Sequence, residues 1–208
     1  MPDIKHFDPD RVLDAVVDLV WRQGEPSTGV QDIVGATGLN RSSLYSTFGG
    51  KQDLYRAALR RYVEQRSQPA FDRLAGDGRG LRAIAAFFDG LIDARCSGPY
   101  ARWGCMVSNA HAAAADAPPE IREILDEHHR RLHAALAAAL GDAGRTGALR
   151  PGVDVSGAAD QLALLAYGIN LRSRAGADAG ALRAAVGSAL AGLSTVPDGD
   201  QDLNGSTS

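Results

Sequence analysis

Gly38 and the Gly49-Gly50 pair interrupt helical periodicity twice within one short stretch, and this constrains the fold more than any other feature of the chain. Before Gly38, Val30, Ile33 and Val34 recur at helical spacing behind Thr28 and Gln31, which read as a T-x-x-Q capping box. After it, Asn40 reads as the cap of a second short helix carrying Leu44 and Phe48 four residues apart. Helices this short do not persist alone, so both must lean on neighbours. Leu13, Val16, Val17 and Val20 mark one such neighbour over Pro9–Gln23, opened by Asp8 and Pro9 and stopped by Gly24. Leu54, Ala58, Leu59, Tyr62 and Val63 mark a longer helix from Lys51, with Pro69 as its end or its kink. Two short helices joined by a glycine turn inside such a bundle form a helix-turn-helix, whose second helix enters the major groove of DNA with its N-terminal end at the base edges.

The rest of the chain continues the helical pattern. Leu81, Ile84, Phe87, Phe88, Leu91 and Ile92 mark a fifth helix, ended by Gly98-Pro99. A sixth is expected over Gly104–Ala115. A seventh opens at Pro118-Pro119 with the stripe Ile121, Leu125, His128, Leu132, Leu136 and Leu140, followed by a glycine-rich turn region from Gly141 to Gly152. An eighth runs from a cap at Asp154 or Ser156 to about Arg174, and a ninth from about Asp178 to Leu193. The expected architecture is all-α, about nine helices: a helix-turn-helix domain over 8–54, a helical bundle over 55–195 and a polar, disordered tail over 196–208.

Composition agrees with this reading. The 208 residues are 45% hydrophobic and only 6% aromatic, and alanine, the best helix former, is abundant. The net charge of −3 does not announce a nucleic-acid binder, but the basic residues Arg41, Lys51, Arg56, Arg60, Arg61 and Arg66 face only Asp53 and Glu64 within their stretch, a phosphate footprint or a solvated helix face. Cys96 and Cys105 form no metal-ligand spacing and no disulfide framework. With no apolar signal core and no bilayer-length apolar run, a cytoplasmic protein without membrane contact is expected. No GxSxG, HExxH, P-loop or GxGxxG motif is present, so neither catalytic residues nor a cofactor are expected.

Asn40, Arg41, Ser42, Ser43, Tyr45 and Ser46 make up the second short helix's start and outer face. Small hydroxyl residues let a helix sink into the groove, and Arg41 can reach guanine or a phosphate. Tyr45 can give its hydroxyl to a phosphate. Lys51 stands where an ammonium and a helix N-terminus can share one, and Thr28 stands likewise at the first short helix.

On these residues the segment Val12–Tyr55 resembles the TetR family of repressors. The matching pattern is Ile33-Val34 before Gly38-Leu39-Asn40, then Ser43-Leu44-Tyr45, Phe48 and Gly49-Gly50-Lys51-Gln52-Asp53-Leu54. Glu25-Pro26 stands where an aromatic is usual, and Gly50 where Ser or Asn usually caps. The resemblance implies a homodimeric repressor that binds double-stranded palindromic DNA and releases it when a small-molecule effector enters the C-terminal domain. The segment Trp103 to Asn109 is similar to one in a subgroup that includes an N-ethylmaleimide-responsive repressor, whose cysteine in this motif senses electrophiles. The Arg174 to Ala177 run recurs there too.

Expected dimer contacts are Leu164 and Leu171 on the eighth helix, apolar on two sides, and Leu182, Val186 and Leu190 on the ninth. Expected pocket residues are Tyr62, Phe88, Leu91, Trp103, Cys105, Met106, Asn109, His128 and Tyr167. Cys105 is either a thiolate favoured by a helix start or a small buried hydrophobe. His128 is either a polar anchor in the pocket or a core histidine bonded to backbone. His129 and His133 have metal-ligand spacing, but they lie off the stripe without an evident acidic or cysteine partner, so no metal is expected.

Overall fold

Asp8 opens the first helix of the computed structural model, which describes residues 7–112 and 114–195. Its carboxylate accepts from the Asp10 amide at 3.0 Å, Pro9 takes the first turn, and Gly24 closes α1 (Pro9–Gln23). The helix-turn-helix follows as α2 (Val30–Thr37) and α3 (Arg41–Phe48), joined through Gly38 in the left-handed conformation. Asn40 caps α3 as expected, its Oδ1 accepting from the Ser43 amide at 2.8 Å. Leu44 is the fully buried residue of α3, and truncating such a side chain costs ~2–5 kcal/mol.

One local expectation needs correction. The start of α2 is not a Thr28–Gln31 box: the Gly29 amide donates to Asp32 Oδ2 at 2.7 Å. Thr28 is buried, and its hydroxyl donates to the Gly24 carbonyl at 2.7 Å, because the tight turn after α1 consumes it. Of the two alternatives at Pro69, an end or a kink, the end is excluded. Helix α4 (Lys51–Tyr62), a π-helical turn (Val63–Ser67) and α5 (Gln68–Gly76) form one unbroken rod. A proline clashes with the carbonyl four residues before it, which here is Gln65, and the wider π turn around that residue absorbs the misfit.

Helices α6 (Leu81–Cys96), α7 (Met106–His111), α8 (Pro119–Arg145), α9 (Val155–Arg174) and α10 (Ala179–Ala191) complete the fold, with a 3-10 turn at Ala114–Asp116. Counting the α4–α5 rod once, nine helices and no named strand occur among the described residues. Helix α7 is shorter than expected because Gly104 (φ +68°) and the extended Cys105 delay its start. Helix α8 is longer, running through Gly141 and Gly144 to Arg145. Its end packs on the start of α6 so closely that a Cβ at Gly80 would meet the Ala143 Cα at 2.8 Å; this packing outweighs the weak helix propensity of glycine. Asp154 caps α9, accepting from Ser156 and Gly157.

Two cores result. One joins α1–α4 to α7 and the first turns of α8, through Cys105, Met106, Val107, Ile121 and Leu125. The other lies among α5, α6, α8, α9 and α10. The first core therefore runs past residue 54 into the C-terminal bundle. Leu182 and Val186 are buried in the second core, where α10 packs on α6, so they are not free for a partner. Leu190 also packs there, partly buried. Leu164 and Leu171 are 66% and 48% exposed on α9. The tail expected to be disordered lies outside the described residues.

Candidate nucleic-acid interface and effector site

Arg41, Ser42 and Ser46 are exposed on α3, with Ser43 and Tyr45 partly covered at its side. The Arg41 guanidinium stacks over the Tyr45 ring at 5.2 Å, which holds both at one edge of the helix. The α4 N-terminus is capped without Ser or Asn: the Gly50 amide donates to Asp53 Oδ2 at 3.0 Å. Lys51 beside it is paired, its Nζ 3.3 Å from Glu25 Oε1. Thr28, buried and internally bonded, does not present its hydroxyl to this face.

The basic stretch is not one footprint. Arg56 pairs with Asp53, and Arg61 with Asp10 and Asp14. Arg66 lies a full helix away from Lys51, on the π turn. The rod spreads these charges along its length, whereas Arg41, exposed on α3, has no carboxylate within 4 Å among the described residues.

An aromatic joint connects this unit to the bundle. Trp21, at the end of α1, stacks with Tyr100 at 4.8 Å and meets Tyr62 and Trp103 edge-on at 4.9 and 5.2 Å. Its indole N–H donates to the Gly104 carbonyl at 2.8 Å. Arg174, closing α9, donates to the Trp103 and Arg22 carbonyls at 2.8 and 3.1 Å. Arg95 of α6 reaches across the joint, donating to Asn170 Oδ1 at 2.8 Å and the Tyr62 hydroxyl at 3.1 Å, with its guanidinium over Trp21 at 5.4 Å. Four segments of the bundle thus hold the last turn of α1.

Behind the joint lies a cavity of about 60 Å³, lined in part by Leu91, Arg95, Cys105, Ser108, His128 and Tyr167. His128 Nε2 lies 3.2 Å from the Ser67 hydroxyl, not against backbone; the π turn that Pro69 induces places that serine. His128 Nδ1, the Ser108 hydroxyl and the Tyr167 hydroxyl are buried without a hydrogen-bond partner among the described residues. Burial pushes the Cys105 thiol up, but the neighbouring His128 ring, the Arg95 guanidinium and the Ser108 amide outweigh it and bring the thiol down to about 6. Burial, with the charge of Cys105 behind it, raises the Tyr62 and Tyr167 phenols above their ordinary range. The group is a nucleophile with a base beside it, in a space large enough for a few waters.

The expected pocket residues therefore divide. Cys105, His128, Tyr167 and Leu91 share the small cavity. Tyr62 and Trp103 belong to the joint. Met106 and Asn109 line a separate cavity of about 540 Å³ against Glu25, Gln52 and Tyr55. Phe88 is fully buried in the second core and lines none of these spaces. Sequence reasoning missed Arg95, Ser67 and Asn170; the position of Arg95 one turn after Leu91 and Ile92, on an apolar face, was the available signal. His129 and His133 do have an acidic neighbour, Asp160, at 3.9 and 3.7 Å.

Residues 12–58 match the profile of bacterial regulatory proteins of the tetR family, and residues 80–189 match that of the tetracyclin repressor-like C-terminal domain. The chain is 27% identical over 187 residues to the HTH-type transcriptional repressor ComR of Escherichia coli strain K12, covering 89% of each. In fold it is similar to a cysteine mutant of the TetR family regulator CifR complexed with 26-bp double-strand operator DNA (TM-score 0.78, 23% identity, covering 91% of this chain and 98% of that one). It is also similar to reduced Escherichia coli NemR (TM-score 0.77, 20% identity, covering 91% and 97%). ComR and CifR are both transcriptional regulators.

Proposed function

The chain belongs to the TetR family of transcriptional regulators, and from that premise we propose that it is a repressor that binds a palindromic operator as a homodimer and releases it when a small effector enters the C-terminal bundle. The observation that carries this reading is the joint at Trp21: the helix that braces the helix-turn-helix ends in a buried contact with the bundle. Two copies of α3 enter successive major grooves, about 34 Å apart. Arg41 and Ser42 read base edges, while Asn40, Ser43, Tyr45, Ser46 and Lys51 hold the backbone. Leu164 and Leu171 on α9 supply the apolar centre of the dimer contact. Selection of genomic fragments by the purified full-length protein, followed by sequencing and gel shift of the enriched site, tests the reading. An inverted repeat supports it, and absence of any enriched sequence refutes it.

Cys105 favours a second reading, in which the effector is an electrophile. The Cys105 thiol attacks an activated alkene: its proton passes to His128 as sulfur bonds to the β-carbon, the π electrons move to the α-carbon, and His128 returns that proton there. An adduct exceeds the small cavity and must displace its walls, which include Arg95 of the joint. Operator release by N-ethylmaleimide in wild type but not in Cys105→Ser supports this reading; equal release in both removes it.

A further inference from the structure

A second space, a groove of about 580 Å³, opens between α5 and α6 and ends on the aromatic joint at Trp21 and Tyr100. Its size falls within the range of small-molecule sites. One wall is apolar, built by Leu74, Phe87 and Leu91, and the small residues of α6 among them leave the space beside it open. The other feature is charge. Arg66, Arg73 and Arg95 all line the groove, and none has a carboxylate within 4 Å among the described residues. The acid on the wall, Asp77, is already bonded by Arg79.

The three guanidiniums outnumber the one acid on the lining, Asp77, and although Asp18 feels the charge of Arg66 the groove stays net positive and attracts an anion. Arg66 is not idle surface. It lies 5.0 Å over the Tyr100 ring, donates to the Tyr100 hydroxyl at 3.2 Å and approaches Trp21 at 6.0 Å. Arg73 stands two turns further along the same rod. A planar guanidinium fork matches an oxyanion, and the apolar wall beside it matches a hydrocarbon or aromatic body.

We propose that this groove binds an amphipathic anion, an apolar body ending in a carboxylate or a phosphate monoester, with the oxyanion between Arg66 and Arg73 and the body along Leu74, Phe87 and Leu91. The regulatory meaning of the site rests on the effector reading above; the binding itself does not. The groove shares Arg66, Phe87, Leu91 and Arg95 with the small cavity. A ligand here bears on Arg95, and through it on Tyr62, Asn170 and Trp21.

The chain's two tryptophans, Trp21 and Trp103, both sit in the joint, so intrinsic fluorescence reports occupancy without DNA. The full chain is titrated with phenylbutyrate, phenylbutyl phosphate and the neutral isostere phenylbutanol. A saturable emission change is expected with the anions, at least about tenfold tighter than with the alcohol, weakening with added salt. The tighter anion identifies the headgroup. Arg66→Gln/Arg73→Gln weakens anion binding by about tenfold or more and leaves the alcohol unaffected; if that variant fails to fold, the salt dependence of the wild type decides. Equal affinity for alcohol and anions, no saturation by any probe, or salt-independent anion binding overturns the assignment. Operator binding is scored separately by gel shift, so failure of the DNA reading leaves the fluorescence titration interpretable.

Discussion

Trp21 donates its indole N–H to the carbonyl of Gly104 across 2.8 Å, a buried bond between residues 83 apart in sequence. It ties the last turn of α1 to the loop that presents Cys105. Gly104 needs its left-handed backbone here, and a Cβ would meet the Asn170 carbonyl oxygen at 3.0 Å. Trp21→Phe keeps an aromatic ring but strands a buried carbonyl, which costs ~1–3 kcal/mol. For a chain of this size the melting temperature should fall by roughly 2–4 °C per kcal/mol. A thermal melt of Trp21→Phe matching wild type would show that the bond contributes nothing.

Lys51 is held by Glu25 at 3.3 Å, with both side chains about one-third exposed. A phosphate arriving at the α4 N-terminus must displace that carboxylate. Glu25→Gln removes a competitor and a repulsive charge, so DNA affinity should rise by up to about fivefold per protomer, the range of an exposed ion pair. The gain should shrink as salt is added. Gel shifts at two ionic strengths check this, and weaker binding by Glu25→Gln contradicts it.

The helix-turn-helix was legible because its signals are local. Gly38, Asn40 and Leu44 act within a turn or two of themselves, and the structure places them as a turn, a cap and a buried anchor. Boundaries failed where a distant partner decides. Gly141 and Gly144 read as a turn, but the close approach of Gly80 to Ala143 keeps α8 helical. Phe88 and Leu91 share one apolar stripe, and only the packing of α6 sends Phe88 into the core and leaves Leu91 at the cavity wall. Arg95 meets Tyr62 and Asn170, residues 33 and 75 positions away, a convergence that periodicity along one helix does not contain.

Leu164 and Leu171 are the large apolar side chains most exposed among the described residues, two turns apart on α9. Leu182 and Val186, by contrast, are consumed by the chain's own core. Leu164→Arg should therefore abolish self-association while leaving the melting transition of the fold in place, whereas Val186→Arg should unfold the bundle. Sedimentation equilibrium with circular dichroism separates the two. A Leu164→Arg protein that sediments like wild type would place any dimer contact elsewhere.

Cys105 supplies a pH dependence whose sign can be worked out. Its thiol is brought from the ordinary value of 9.0 to about 6: burial opposes ionisation, and His128, Arg95 and the Ser108 amide favour it more strongly. Between these values the native chain holds the thiolate while the unfolded chain keeps its proton. The unfolded state then binds more protons, so stability rises with pH across this window. The contribution is complete above the unfolded value and disappears as pH falls through the native one. Wild type minus Cys105→Ser should therefore show a stability difference growing from about pH 6 towards pH 9. The ultraviolet thiolate absorbance of the same pair should rise with a midpoint near 6. His128→Gln removes the strongest favourable partner while keeping a polar side chain, and the midpoint should move well above neutrality. If the midpoint stays put in His128→Gln, the thiolate owes its stability to Arg95 and the helix amide, and the histidine is only a neighbour.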